Sequence, residues 1–471
     1  MKRSTSMPLN RLNQIILGGF FLITASLVFW GVVRAPAILA REDNPRLVTA
    51  ELAIRRGDVL DRNGRILAES VIINNAVSRL YPVPNSGPAV GYYSFRFGSG
   101  GIEESYATAL RGDDEPVLRA AWRQLLHQPQ SGRHVQLTID ARWQQVAAAI
   151  LGDEKGALLL LSMPVDSAAP TAQILAMISH PDYDPNNLDA QFDGLMADED
   201  APLLNRTAQG QYQPGMALQP FILAAAVESG HIQLGDVVAN VNAPVQINGR
   251  SRQCVTEPTE PTNWRQVLLS RCPAAMTQLG DSLGIGGLDQ AFSAFALTQT
   301  PDVPLNTEIG EREPLANPLM AAVGQDTMTV TPLQVAVAWI GLMTDGRLPS
   351  LQLVTAVQDN TGTWQPQSPE LSERETATLG SSTSLSSSVQ TVSAETALLF
   401  RAALTNSNAG ISEHTVLALS GPEGSSNGWY LGALTHENVH YFAIAIVEET
   451  NELGMTESVG RRLLTAVQNQ Q

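Results

Sequence analysis

Residues 12 to 33, LNQIILGGFFLITASLVFWGVV, carry no charged side chain. As a helix this run would be about 33 Å long, enough to cross the hydrocarbon core of a bilayer. Lys2, Arg3 and Arg11 precede it with no acid among them, and an excess of positive charge beside a span holds that side in the cytoplasm. The expectation is a cytoplasmic N-terminus at 1–11, one transmembrane anchor at 12–33, and the bulk of the chain outside. A cleaved signal peptide is the rival, with Ala35 and Ala37 as small residues near a cut. The run is too long for an ordinary signal core, which favours an uncleaved anchor.

Charge narrows the partners. The formal net charge is −17, and residues 1–34 hold four basic residues and no acid, so the external part is more acidic still. Such a surface repels nucleic acid and anionic lipid, and its plainest use is solubility. The 471 residues, 44% apolar, suffice for one large domain or two with real cores. Cys254 and Cys272 fall on the side where disulfides persist. A bridge between them would contribute about 3 kcal/mol in the chain-entropy model; two buried free thiols are the alternative.

Residues 35–135 are rich in Gly, Pro and short β-prone runs such as VIINNAVSRLYPV, and read as a small strand-rich module. Within it Val117, Leu118, Ala121, Trp122, Leu125 and Leu126 recur at helical spacing. From 136 to 471 longer elements alternate. HVQLTID, GALLLLSM and TAQILAMIS read as strands, and ARWQQVAAAILG as a helix. Further helices are predicted at 217–229, at 394–405 and at SVGRRLLTAVQ, and NGWYLGAL with VHYFAIAIVEE forms a hairpin. The pattern predicts an α+β domain, a mainly antiparallel sheet with helices on both sides. Residues 359–393, with GSSTSLSSS and few large apolar residues, read as a flexible surface loop.

RRGDVLDRNGRILAES at 55–70, carrying Arg56, Gly57, Asp61, Arg62, Asn63 and Gly64, resembles the signature that opens the pedestal of class B penicillin-binding proteins, the peptidoglycan D,D-transpeptidases. Its Asn63-Gly64 step suits a tight hairpin. GIEESYATALRG resembles the segment that joins pedestal to transpeptidase domain, and VQLTIDARWQQVA the first strand and helix of that domain. ILAMISHPDYDPN, LLNRTAQGQYQPG and VGQDTMTVTPLQVAVAWIGLMTDGR are similar to further landmarks in the expected order. The resemblance implies a transpeptidase-like (serine β-lactamase-like) α+β fold behind a short pedestal, on the outer face of the bacterial cytoplasmic membrane.

In that family a serine attacks the D-Ala-D-Ala carbonyl and a lysine one helical turn later takes its proton. A Ser-x-Asn loop assists, and a Lys-Thr-Gly strand binds the substrate carboxylate. Here the family's Pro-Gly-Ser-Thr-Phe-Lys-Pro is matched by Pro214-Gly215-Met216-Ala217-Leu218-Gln219-Pro220. A thioether is no acyl-transfer nucleophile and a neutral amide accepts no proton. The Ser-x-Asn position falls best on Ser270-Arg271-Cys272. Counting back from Trp429-Tyr430-Leu431-Gly432 places the third motif near Ser420-Gly421-Pro422, with a slip of one residue open. Pro422 would interrupt strand pairing and Glu423 would add negative charge where a carboxylate docks. One count needs no alignment: the chain has two lysines, Lys2 and Lys155, and neither follows a serine by three residues.

His436-Glu437-Asn438-Val439-His440 spells the zinc-protease pattern, but that chemistry needs a helix, and apolar strand residues flank this segment, with Thr435 to Asn438 reading as a turn. Histidines 127, 134, 180, 231 and 414 show no metal-ligand spacing and read as surface or satisfied core residues. No metal and no cofactor is expected, and no substitute hydrolase motif appears.

The resemblance thus implies a pseudoenzyme: a transpeptidase fold kept as a scaffold, regulator or binding module among cell-wall synthesis proteins, a SEDS-family glycosyltransferase first among them. An enzyme using non-standard groups, with Ser270 the first suspect, is the rival. A sensor binding peptidoglycan peptides or β-lactams without covalent capture is the third reading.

Overall fold

The computed structural model describes residues 6–30, 34, 52–73, 76–126, 128–166, 170–308, 313–367, 389–420 and 425–469. Ser6–Val28 is a helix whose Leu12, Ile15, Phe20, Phe21 and Leu22 are all exposed. Among the described residues no helix is long and apolar enough to cross a membrane. The last three residues of the expected 12–33 span lie outside the described residues.

A six-stranded sheet runs in the order β13-β12-β6-β1-β2-β3. Its first strands come from the pedestal sequence: β1 (Val59–Leu60), β2 (Ile66–Ile73) and β3 (Ala76–Leu80). A small hairpin, β4 (Tyr92–Ser94) with β5 (Gly98–Gly100), lies beside them. β6 (Val135–Leu137) pairs parallel with β1, and β12 (Val354–Gln358) and β13 (Trp364–Pro366) complete the sheet from far along the chain. β6 spans the 135/136 step at which the sequence reading divides the chain. β13 occupies part of the segment read as a loop at 359–393, whose Ser-rich centre lies outside the described residues.

The signature residues hold this module together. Arg56 Nε donates to Glu103 Oε2 at 2.9 Å and Arg56 Nη2 to Glu103 O at 2.8 Å, while Arg79 Nε reaches Glu103 Oε1 at 2.6 Å. Glu103 is fully buried, so its charge is tolerable only because two guanidinium groups and these bonds offset the lost hydration. Asp61 accepts from Asn63 N and Arg65 N through Oδ1, and from Ala141 N through Oδ2. Gly64 takes φ +83° while Gly64 N bonds to Asp61 O. The Asp61–Arg65 turn is therefore a three-residue connection with one left-handed glycine rather than a two-residue hairpin. A Cβ on Gly57 would fall 1.9 Å from Arg133 O, which explains why that signature position is bare.

The larger sheet runs β11-β8-β7-β17-β16-β15-β14. Its strands are β7 (Gly156–Pro164), β8 (Thr171–His180), β11 (Ser350–Gln352), β14 (Thr405–Asn406), β15 (Ile411–Ser420), β16 (Ser425–His436) and β17 (Val439–Val447). All neighbours are antiparallel except β11 with β8. Helices Ala141–Leu151 and Leu453–Gln468 cover one face through Trp143, Ala147, Leu151, Leu463 and Leu464. Against the other face lies the main core, where Phe221, Phe292, Phe295, Trp339 and Phe400 are fully buried. This is the predicted α+β layering. A separate two-stranded ribbon, β9 (Val245–Ile247) with β10 (Arg250–Arg252), lies outside both sheets.

Candidate functional site

Three short segments meet where the resemblance puts the family's chemistry. Gly215–Leu218 is a 3-10 turn that leads directly into helix Gln219–Glu228. Gly215 at φ +54° lies against β15, where an added Cβ would fall 2.6 Å from Ala418 Cβ. On its other side Gly215 N donates to Gly324 O at 2.9 Å. Beyond Gly324, Thr331 and Gln334 form a reciprocal capping box that starts helix Pro332–Met343, the physical content of the Thr-Pro-Leu-Gln motif.

Met216 sits in this turn, and its carbonyl accepts from His414 Nε2 at 3.0 Å. His414 lies on β15 and is 1% exposed. Burial pushes its pKa down to about 3, Arg271's positive charge adds to that, and the bond to Met216 opposes it. The ring is thus neutral with its proton on Nε2. Sequence reasoning placed His414 only among surface or core histidines; the signal that could have found it is strand alternation, which puts it two steps from Val416 and four from Ala418 on one face.

Gln219 opens helix Gln219–Glu228 fully buried. Its Nε2 donates to Val267 O at 3.1 Å, and its Oε1 is sealed from solvent without a partner. Val267 O also accepts from Cys272 N at 3.3 Å. The Gln219 amide therefore locks the first segment to the second, helix Trp264–Ser270 and the turn after it. Asn263 and Gln266 start that helix with another capping box, and Arg271 ends it at φ 52°. Ser270 is buried, and among the described residues its Oγ makes no hydrogen bond. Cys272 is joined to Cys254, so its thiol is not available to a ligand. Arg271 is largely buried and its Nε has no partner; burial lowers its pKa against the pull of Glu457 and Glu413.

The third segment is β15 itself. β14 pairs only with Ile411 and Ser412, so from Glu413 to Ser420 the outer edge of β15 has no strand neighbour among the described residues. Such an edge can take an extended peptide as an added strand. Ser420 closes the strand, with Oγ 3.3 Å from Asn427 Oδ1 and 3.4 Å from Ser425 Oγ. Gly421 and Pro422 lie outside the described residues. The β15 side chains set against the Met216 turn are His414 and Ala418.

Lys155 is engaged elsewhere, its Nζ 2.7 Å from Asp200, 3.6 Å from Glu448 and 3.4 Å from Glu449. His436 to His440 lies on the β16–β17 hairpin, where Glu437 and Asn438 take φ 48° and 64°. The turn is shorter than predicted: two left-handed residues suffice to reverse the chain, and Thr435 stays in the ladder opposite His440.

Comparison with known proteins agrees with this fold. Residues 167–464 match the model of the penicillin binding protein transpeptidase domain, and residues 56–135 that of the penicillin binding protein A dimerisation domain. The peptidoglycan D,D-transpeptidase PbpA of Mycolicibacterium smegmatis is 28% identical over 366 residues, covering 72% of each chain. MrdA, a peptidoglycan D,D-transpeptidase of Escherichia coli, is 24% identical over 322 residues, 61% of this chain and 50% of that one. Among solved structures, penicillin-binding protein A from M. tuberculosis, as an imipenem acyl-enzyme complex, superposes with TM-score 0.73 at 22% identity, over 89% of this chain and 99% of that one. The D,D-transpeptidase domain of a peptidoglycan glycosyltransferase from Eggerthella lenta gives 0.70 at 22% identity, over 88% and 99%. With a transpeptidase model spanning most of the chain and a pedestal model before it, the chain belongs to the penicillin-binding protein transpeptidase family.

Proposed function

We propose that this chain is a catalytically inactive member of its family, a pseudo-transpeptidase that serves peptidoglycan synthesis as a scaffold, regulator or binding module. The observation that carries this reading is Gln219. At the position the resemblance assigns to the proton-accepting lysine stands a buried neutral amide whose nitrogen is spent on Val267 O. Met216 offers no nucleophile beside it, and its carbonyl is occupied by a neutral imidazole. With Lys155 held by acids, no lysine among the described residues is placed to serve either motif. The relatives named as transpeptidases support the setting in wall synthesis, not activity in this chain.

The uncharged run 12–33 and the basic residues before it support a single-pass anchor in the cytoplasmic membrane, N-terminus inside. Anchor and pedestal need no serine to engage a partner, and a SEDS-family glycosyltransferase is the partner the resemblance implies. The open edge of β15 favours a second use of the cleft, non-covalent binding of an extended wall peptide.

Fluorescent penicillin tests the reading. The full-length protein in detergent is expected to take no covalent label under conditions in which PbpA labels. Labelling that disappears in Ser270→Ala would establish the rival enzyme instead. Co-purification from membranes with a wall-synthesis glycosyltransferase is the positive arm, and recovery of no wall-synthesis protein counts against the scaffold role.

A further inference from the structure

Helix Val117–Leu125 is mounted with its apolar side outward. Val117 is 83% exposed, Leu118 87%, Trp122 63% and Leu125 66%. On its other side Arg123 Nε donates to Glu115 Oε2 at 2.9 Å and Arg119 reaches Asn360 O. This inverts the usual surface helix, which turns its apolar stripe to the core. Two more stretches show the same character at the same end of the pedestal. Arg55 N bonds to Gln130 O, a few residues beyond the helix, and Ser70 Oγ bonds to Arg56 O. β2 therefore runs back along the entering chain and carries Ile72 and Ile73, both exposed, toward Leu52, also exposed. Leu52 is also the first described residue after Arg34, so this end is the part of the pedestal nearest in sequence to the N-terminal helix.

Single exposed apolar residues are ordinary, but a grouped set marks an interface. A second copy of the chain fits poorly, because a nine-residue helix offers a few hundred Å², short of the roughly 800 Å² per partner of a stable interface. Leucines and a tryptophan on one side with arginines on the other is the composition of a helix that lies in a membrane surface. We propose that this end of the pedestal rests on the outer surface of the bilayer that holds residues 12–33, with helix Val117–Leu125 in the interface plane and Ile72 and Ile73 beside it. The proposal rests on the reading of the chain as membrane-anchored. Since the protein is strongly acidic, the attachment is apolar, needs no anionic lipid and resists salt.

The test uses the full-length protein in phosphatidylcholine vesicles. The two native cysteines are joined, so a nitroxide can be placed on a single introduced thiol: Leu118→Cys, Leu125→Cys, Ile73→Cys, Leu22→Cys in the N-terminal helix, or Leu398→Cys as an exposed control. Collision with oxygen, which concentrates in lipid, is compared with collision with a water-soluble nickel chelate. Oxygen is expected to dominate at 118, 125 and 73, at about 5–10 Å depth, and the chelate at 398, unchanged at high salt. If 118 and 125 match 398 while 22 reads deep, the surface proposal is overturned and the anchor stands. If 22 is also in water, the anchored reading fails and takes the proposal with it. Dipolar broadening between labels at 118 would overturn it in favour of a second copy.

Discussion

At the scale of single residues the candidate site is a set of buried side chains held by a few hydrogen bonds, with Gln219 Oε1 and Arg271 Nε left without partners. His414 stays neutral because charging it would bury an imidazolium beside Arg271, which gives the fold a pH dependence with a definite sign. The folded pKa, about 3, lies below the ordinary 6.5, so the unfolded chain binds the proton first. Its contribution is complete above 6.5 and is lost as pH falls toward 3, by up to about 1.4 kcal/mol per unit. Asp182 runs the other way: burial raises its carboxyl to about 7, so its contribution is present below the ordinary 3.8 and is lost as pH rises through 7. The His414 effect is therefore read as a difference. Urea unfolding of wild type and His414→Gln at pH 7, 5 and 4 should show the gap between them closing as pH falls; a constant gap would mean that the ring is not titrating. Gln219 allows a second prediction. Met216→Ser with Gln219→Lys installs the serine and lysine that the resemblance expects there but places an ammonium where Val267 O is the one bonded partner. The double variant is expected to lose about 2–4 kcal/mol and still to take no fluorescent penicillin; labelling would show that the third motif is dispensable. Met216 and Gln219 could be singled out in the sequence because the motif they are matched to has fixed spacing and Pro214 and Pro220 frame it. His414 was not, because its role depends on which strand face meets the Met216 turn.

At the scale of elements, the large-sheet strands and most helices could be read from periodicity because each has one partner environment. β7, β8, β16 and β17 are buried on both faces, and runs such as ALLLL and FAIAI report that directly. Helix Val117–Leu125 shows the limit of the method. Its spacing was right, yet periodicity says only that one side is apolar, not which side faces the protein. The short strand β13 was unreadable for a related reason: three exposed residues in a polar stretch become a strand because β12 offers an edge. Close backbone approaches are equally invisible in sequence. Gly324 is left-handed at φ +63°, and an added Cβ would sit 2.1 Å from Gly215 O. Gly324→Ala is expected to cost about 2–4 kcal/mol from backbone strain and clash together. Thermal melts with matched far-UV spectra check this, and a change under about 0.5 kcal/mol, the range of ordinary surface substitutions, would mean that the two turns are not pressed together.

At the scale of the whole molecule, the pedestal sheet is not built from the pedestal sequence alone. β6 at 135–137 joins β1 to β12, and β12 and β13 come from 354–366, after most of the transpeptidase-like body has been threaded. Thr138 Oγ1 adds bonds to Ile174 O and Gln352 O, tying that sheet to the larger one. Two bodies sharing strands in this way should unfold together, so damage deep in the pedestal should be felt throughout. Glu103 is the place to inflict it, because its fully buried carboxylate is shared by Arg56 and Arg79. Glu103→Gln keeps the shape and leaves two buried guanidinium groups without their counter-charge, which should cost about 3–5 kcal/mol. Tryptophan fluorescence reports chiefly on the larger body, where Trp339 and Trp429 are fully buried, and far-UV circular dichroism reports on both. If the sheets form one cooperative unit, the denaturation midpoints from the two probes coincide in wild type and move down together in Glu103→Gln. If the pedestal is an independent domain, the variant shows an early dichroism transition while the fluorescence midpoint stays where it was.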